Sequence, residues 1–391
     1  MPESILRRVK RSIYNEDHEA FRAMIRDFIT REVTPHFGRW EKEGLIDRDL
    51  FRKLGRLGVM GFGIPEEHGG PGEAGYRYQA IIAEETARQA VSFGHYTVTT
   101  GIVLPYLLSL ADEEQKRRWL PGIAGGDIVL CIAMTEPGTG SDLAGIRTTA
   151  RLDGDAYILN GAKTFITGAR NSELCVVVAR TAAPDPTDRR AGLSLLVVPT
   201  GAEGFTIGRA LDKIGLKSSD TSELAFTDVR VPVENLLGEE GKGFYYLGGN
   251  LPRERLAIGV SGVATASAAI AFACEYVLAR NVFGKPVAEF QNTKFVLAEC
   301  ATEVEAAQAM VDRAIELEDA GELTAADAAK VKLFGTEVAG RVIDKCLQLH
   351  GGYGYVLEYP IARLYADTRV SRIYGGTSEV MKTIIAKDLG L

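Results

Sequence analysis

The sequence predicts an α+β multidomain chain with a helical N-terminal domain, a middle antiparallel β domain and a C-terminal helical domain of four-helix-bundle type. Three observations carry that reading. Apolar residues recur at helical spacing through the first third, short β-branched runs broken by turn signals fill the middle, and helical spacing returns after Gly243. At 391 residues and 46% hydrophobic composition the chain can bury more core than one unit needs, and the boundaries fall at 1–127, 128–238 and 239–391.

In the first domain Phe21, Met24, Ile25, Phe28 and Ile29 share one helical face, and similar patterns run through Leu50 to Leu57 and Arg77 to Leu110. The stretch Gly70 to Gly75 formally matches the GxGxxG dinucleotide pattern. It follows a Pro-Glu-Glu-His loop rather than a buried strand and contains Pro71, so it is not read as a Rossmann fingerprint. From Ile128 the runs IVLCIAM, TTARL, AYILN, CVVVA, LSLLVV and ELAFTDVRV read as strands ending near Pro232, with turns at Asp153-Gly154 and Asn160-Gly161. TAAPDPTDRRAG reads as an exposed hairpin loop. In the last domain Val331, Phe334, Val338, Val342, Cys346 and Leu349 keep helical spacing, and no repeat or low-complexity segment interrupts the chain.

A net charge of −7 with interspersed signs gives no basic stripe for nucleic acid or anionic membrane. No uninterrupted apolar run reaches the roughly 18 to 20 residues that cross a bilayer, and the charged start is not signal-like, so a cytoplasmic location is expected, or an organelle matrix if a presequence has been removed. Five scattered cysteines and five unclustered histidines argue against a disulfide framework and against a metal site.

Three segments then converge: TEPGTGSD (135–142), RNVFGKP with Gln291 (280–286, 291), and QLHGGYGY with YGGTSE (348–355, 374–379). Together, in this order and on this α/β/α layout, they resemble the acyl-CoA dehydrogenase family over essentially the whole chain. The resemblance implies FAD. Glycine-flanked turns admit a pyrophosphate to backbone N–H groups without a Cβ in the way. By resemblance Ile132, Ala133, Met134, Thr135, Gly140 and Ser141 line the flavin, with Phe165, Ile166 and Thr167 against the isoalloxazine; Phe165 stands where the family often has Trp. A neighbouring chain's Arg280, Phe283, Gln291, Gln348, Leu349, His350, Gly351 and Gly352 would complete the adenosine and pyrophosphate end, implying a homotetramer built as a dimer of dimers. Thr377, Ser378 and Glu379 carry over as further flavin contacts.

Dehydrogenation needs a carboxylate to take the proton α to the thioester carbonyl. Most of the family places it within a YEGT motif, which here reads Tyr374-Gly375-Gly376-Thr377. Long-chain and isovaleryl-type relatives instead place it on a helix beginning with a segment like LPQERL, matched by Leu251-Pro252-Arg253-Glu254-Arg255-Leu256. Glu254 is therefore the implied base, and Gly375 is expected to leave room for its carboxylate. Burial against flavin and acyl chain should raise its pKa. Read without the resemblance, Glu254 is a first-turn glutamate facing the helix dipole after Pro252. The resemblance makes the Gly375 N–H an enolate donor, with Gly376 allowing close approach, and places Ser141, Tyr245, Pro252, Arg253 and Arg255 along the acyl-CoA. The loop at Pro184 to Ala191 would reach the nucleotide end of CoA.

The implied reaction is FAD-dependent α,β-dehydrogenation of an acyl-CoA, favouring straight medium or long chains, with an electron-transferring flavoprotein as acceptor. The sequence leaves open an acyl carrier protein-linked dehydrogenase, a flavin monooxygenase or oxidase on the same fold, and a non-catalytic flavin- or acyl-CoA-binding protein.

Overall fold

The computed structural model describes residues 11–72, 75–183 and 187–391. Its first third holds α1 (Glu16–Phe28), α2 (Thr34–Glu43), α3 (Asp49–Arg56), α4 (Tyr76–Arg88), α5 (Leu104–Leu110) and α6 (Glu113–Gly125). Local chemistry fixes the starts of α1 and α6: the Asn15 and Asp112 side chains each accept from the backbone N–H three residues on, and the residue there accepts back. Arg22 donates to Glu84 and Glu85 at 2.6 and 3.1 Å, and Arg26 donates to Glu85 at 2.8 Å, pinning α1 to α4 through buried paired charges. Gly70 follows a short 3₁₀ turn, Glu66–His68, and among the described residues no strand precedes it; Glu73 and Ala74 of that motif lie outside the described residues.

The middle third holds β1 (Leu130–Ala133), β2 (Thr149–Asp153), β3 (Ala156–Thr167), β4 (Leu174–Arg180), β5 (Leu193–Pro199), β6 (Phe205–Ala210), β7 (Thr221–Pro232) and β8 (Leu236–Leu237). They form one sheet in the order β6-β7-β3-β2-β4-β5-β8, with β1 also on β4. The sheet is mixed rather than wholly antiparallel: β1 runs parallel to β4 from Leu130↔Leu174 to Ala133↔Val177, and β2 meets β4 in parallel at Thr149↔Arg180. The intervening glycine turn and β2–β3 hairpin supply the long crossover that parallel pairing needs.

Asn160-Gly161 is likewise not a turn. It lies inside β3 at a break in register with β7, where the Asn160 amide donates to Asp228 and accepts from the Asp228 N–H, both at 2.9 Å. A Cβ on Gly161 would fall 2.6 Å from the Thr148 hydroxyl, so the glycine serves a bulge and a close approach. β6 escaped the sequence reading because it is a mostly exposed, weakly apolar edge.

The last third holds α7 (Gly243–Ala279), the short strands β9 (Asn281–Val282) and β10 (Lys285–Pro286), then α8 (Gln291–Asp319), α9 (Ala325–Leu349), α10 (Pro360–Thr368) and α11 (Ser378–Asp388). α7 corrects two expectations. Pro252 is its tenth residue rather than its start, so Glu254 is not a first-turn glutamate. The helix is also long and apolar enough to cross a membrane, because serines, threonines and glycines rather than charges interrupt its second half; most of that stretch is buried inside the protein. α7 packs on α9 almost backbone to backbone. A Cβ on Gly259 would lie 2.6 Å from Val331 Cγ1, and one on Gly335 would lie 3.2 Å from the Gly259 carbonyl oxygen.

Gly259→Val should therefore force these helices apart. A destabilisation of about 1–3 kcal/mol is expected for overpacking, read as a lower midpoint in urea unfolding.

Candidate active site

Glu254 lies on α7 facing Tyr106 of α5 and is 3% exposed. Tyr106, also buried, donates its hydroxyl to Glu254 Oε1 at 3.0 Å, and the Asn250 amide, one turn earlier on α7, approaches the same oxygen at 3.3 Å. No protein group among the described residues bonds Oε2, which leaves one carboxylate oxygen held and the other available. Burial pushes the Glu254 carboxyl up to about 7, against the two hydrogen bonds and the Arg255 charge, which favour the ionised form. The Tyr106 hydroxyl is raised well above its ordinary range by burial and by the neighbouring carboxylate, so it remains a donor.

A π-helical turn, Val98–Val103, leads into α5 and leaves carbonyls free of the regular ladder. The Ile102 carbonyl accepts from Asn250 at 2.9 Å, which fixes the amide beside Glu254.

The Gly375–Gly376 loop reaches the same place. Both residues have left-handed backbones, φ 62° and 96°, which only glycine adopts without strain. The Arg255 guanidinium Nε approaches the Gly375 carbonyl at 3.4 Å, and buried Lys332 of α9 donates to the Gly376 carbonyl. A Cβ on Gly375 would lie 2.4 Å from Ile258 Cδ1. The space is thus filled by Ile258, one turn beyond Glu254, rather than by the carboxylate itself.

Glu254, Arg255, Gly375 and Gly376 are therefore brought together. Arg253 points elsewhere: it pairs with Glu318 of α8 at 2.8 Å and stacks over Tyr76. Tyr245 is largely exposed near the start of α7, with Lys242 over its ring, and Pro252 is half-buried within that helix.

A second group surrounds the TEPGTGS turn. Ile132 and Ala133 lie in β1, and Met134 and Thr135 follow, with the Thr135 carbonyl accepting from the Thr164 N–H at 2.9 Å. Buried Lys163 bonds the Met134 carbonyl at 3.0 Å and Glu136 at 2.9 Å, while Glu136 accepts from the Arg147 and Thr148 N–H groups. Beyond this brace Gly140 and Ser141 are exposed, and nothing lies within 4 Å of where a Cβ on Gly138 or Gly140 would point. Phe165 is 65% exposed with a left-handed φ of 58°, at a register break in β3, while Ile166 turns its side chain into the sheet core and Thr167 is half-buried. Ile166 can thus face a ligand only with its backbone.

The third group is open on this chain. Phe283 is 96% exposed with φ 51°, Arg280 extends over the Tyr353 ring, and Gln291 and Gln348 are exposed with Gly351 and Gly352 beside a half-buried Leu349. His350 differs: it is buried, stacked on Tyr276 with centroids 4.4 Å apart, and its Nδ1 bonds the Cys346 carbonyl at 2.8 Å. Thr377 caps α11, buried Ser378 donates to Glu337 at 2.8 Å, and Glu379 is exposed. Of the Pro184–Ala191 loop, residues 184–186 lie outside the described residues; Arg189 pairs with Asp142 at 2.8 Å.

Tyr106, Asn250 and Lys332 were not singled out in the sequence, although each had a signal. Tyr106 puts a polar tip inside the apolar run IVLPYLLSL, Asn250 sits four residues before Glu254, and Lys332 falls on the small-residue core face of α9 with Ala328, Gly335 and Ala339. Glu67, His68 and Glu113 also offer ligand atoms within 4.8 Å of one another, on elements apart from Glu254.

Family models for the N-terminal, middle and C-terminal domains of acyl-CoA dehydrogenase match residues 15–127, 131–229 and 241–390. The chain belongs to the acyl-CoA dehydrogenase family. It is 44% identical to the mitochondrial long-chain specific acyl-CoA dehydrogenase of Sus scrofa over 97% of this chain and 88% of that one. It is 36% identical to an acryloyl-CoA reductase (NADH) of Anaerotignum propionicum over 98% and 97%. Among solved structures, an acyl-CoA dehydrogenase of Geobacillus kaustophilus superposes with TM-score 0.93 at 46% identity, covering 97% of this chain and 99% of that one. One of Bacillus anthracis complexed with FAD superposes at 0.88 and 32%, covering 96% and 67%.

Burial of Glu254 sets a pH-dependent cost. A native carboxyl at about 7 keeps a proton that an unfolded one, near 4.5, has released; the stability this proton gives is complete below about 4.5 and lost as pH rises through 7. Glu254→Gln should leave urea stability unchanged at pH 4.5 and raise it at pH 8 by up to about 3 kcal/mol, at ~1.4 kcal/mol per pKa unit. Tyr106→Phe, which removes a donor to the carboxylate, should move the Glu254 carboxyl higher still, as read by infrared difference spectroscopy across pH 6 to 9.

Proposed function

We propose that this protein is an FAD-dependent acyl-CoA dehydrogenase that oxidises a straight medium- or long-chain acyl thioester to its trans-2-enoyl product, with Glu254 as the base. The observation that carries the reading is a buried carboxylate pushed to about 7, held by one oxygen and lying beside the Gly375–Gly376 loop.

The residues present fit the cofactor. Phe165 and Phe283 are exposed aromatics with left-handed backbones, a combination with both a strain cost and a hydration cost that a bound planar ligand would offset. The open turn at Gly138 and Gly140 offers backbone to a pyrophosphate, and Glu136 and Lys163 brace it. Ile132 to Thr135, Gly140, Ser141, the backbone of Ile166, Thr167 and Thr377 to Glu379 would hold the flavin from this chain. Arg280, Phe283, Gln291 and Gln348 to Gly352 would do so from its neighbour in a homotetramer. For His350, already stacked and bonded, that contribution would come through the backbone. When bound, the flavin supplies the two-electron acceptor for the hydride that leaves the β carbon.

The chain's own residues do the rest. Glu254 Oε2 takes the α proton, while Tyr106 and Asn250 keep Oε1 in place. The Gly375 N–H donates to the thioester oxygen as negative charge grows there, a type of interaction worth several kcal/mol when preorganised. Burial of the carboxylate keeps its proton affinity matched to neutral pH. Electrons would then pass to an electron-transferring flavoprotein.

The similarity to an NADH-linked reductase favours a second reading, in which the same site runs in reverse and protonated Glu254 delivers the α proton. Near pH 7 both protonation states of Glu254 are populated, so the site suits either direction.

Anaerobic mixing of the FAD-loaded protein with a C4 to C16 acyl-CoA series should bleach the flavin absorbance, fastest with medium or long straight chains. Glu254→Gln should retain FAD and bleach about 10²- to 10⁴-fold more slowly. Equal rates in both proteins would remove Glu254 as the base, and bleaching by NADH with turnover of an enoyl-CoA would favour the reductase.

A further inference from the structure

Lys332 is a lysine with 1% exposure and no carboxylate within 4 Å among the described residues. Its ammonium donates to the Gly376 carbonyl, and its Cε lies 3.6 Å from where a Cβ on Gly375 would sit. Arg255, 6% exposed, approaches the preceding carbonyl, that of Gly375, from α7. Two buried cations thus converge on two successive peptide carbonyls. Burying like charges side by side is costly and persists only where something requires it.

The loop supplies the requirement. Two consecutive glycines have the widest conformational freedom a chain offers, and nothing in their side chains can fix the peptide planes. We propose that Lys332, with Arg255, is a positioning residue for the thioester: its charged ammonium locks the Gly375–Gly376 backbone so that the loop N–H is held ready for the substrate carbonyl oxygen. The inference rests on the dehydrogenase reading of this site. It assigns to a residue on α9, which need not touch substrate, control over the geometry in which charge develops.

Burial, with repulsion from Arg255, lowers the Lys332 ammonium to about 8. The charged groups facing it are Arg255 on α7 and, behind that, Glu254. Along α9 itself, Glu337 is bonded by Arg372 and Ser378, and Lys330 pairs with Asp388 of α11, while Tyr374 directly precedes the glycine pair on the loop. Below about 8 the ammonium is charged and holds the loop; above it the charge-assisted bond is lost. Activity should therefore rise as Glu254 ionises near 7 and fall as Lys332 deprotonates near 8.

The test is the pH dependence of anaerobic flavin bleaching by the best acyl-CoA, from pH 6 to 10, for FAD-loaded wild type, Lys332→Met and Lys332→Gln. The wild type should show both limbs. Lys332→Met should bleach on the order of 10²-fold more slowly at pH 7.5, as for loss of one preorganised donor, with KM little changed and the alkaline limb gone. Lys332→Gln, which keeps a neutral donor, should recover part of the rate without recovering that limb. An unaltered alkaline limb in either variant, or a wild type whose rate stays flat above pH 8, would overturn the proposal. If Lys332→Met does not fold, Lys332→Gln and the wild-type profile decide it. Glu254→Gln, run alongside, separates the two levels: unimpaired bleaching there would remove the underlying reading, whereas impaired bleaching with an unchanged Lys332 limb would remove this inference alone.

Discussion

The near-contact of α7 with α9 is the constraint on which the site depends. Gly259 and Gly262 on one helix and Gly335 on the other allow a close approach: a Cβ on Gly259 would meet Val331 Cγ1 at 2.6 Å, and one on Gly262 or Gly335 would come 3.3 or 3.2 Å from a carbonyl oxygen across the crossing. The crossing sits within two turns of Glu254 and one turn of Lys332, so the closeness of the helices removes both residues from water. Ile258 then fills the space under Gly375, which gives the loop a surface to rest on. A wider crossing would admit solvent, and the Glu254 carboxyl would relax towards an ordinary value, because burial is the largest cause of its shift.

Burial here works against stability and in favour of chemistry. The Glu254 carboxylate, the Arg255 guanidinium and the Lys332 ammonium share a region with few compensating partners, and all three are shifted towards their neutral forms by burial. A fold selected for stability alone would place apolar groups there. The hydrogen bonds run the other way: Tyr106 and Asn250 both favour ionised Glu254, which keeps its pKa near neutrality rather than higher still. The carboxyl thus ends between two opposing effects, close to the value a general base working near pH 7 needs.

Much of this was legible in the sequence, and the failures have physical causes. Helical periodicity and β-branched runs gave the three-part layout, because both patterns report burial directly. Direction within the sheet was not legible: the β1 run reads the same whether its partner β4 lies parallel or antiparallel, since parallel pairing is set by the path of the chain between them. Asn160-Gly161 read as a turn because Asn-Gly favours left-handed backbone, and a bulge closed by Asp228 uses the same freedom. In the site, Glu254 and the glycine pair could be read from a linear motif. Tyr106 could not, since its hydroxyl meets Glu254 across 148 positions of sequence. Lys332 was hidden by convention, because a lysine on a helix is ordinarily solvated.

The exposed end of the site fits the homotetramer proposed above. Phe165 and Phe283 hold left-handed backbones while presenting aromatic rings to water, and Tyr355 and Leu357 on the turn after α9 are 92% and 66% exposed. Strain of this kind persists where surrounding structure enforces it. The two aromatics differ in what surrounds them. Phe165 rises from a braced sheet beside the glycine turn, where a ligand ring alone would cover it. Phe283 projects from a two-stranded hairpin between α7 and α8, where the Phe290 ring meets it edge-on at 6.5 Å and leaves it 96% exposed. A second copy supplying a surface there would bury the aromatic edge, and it would close over the flavin the part of the site that a single chain leaves open.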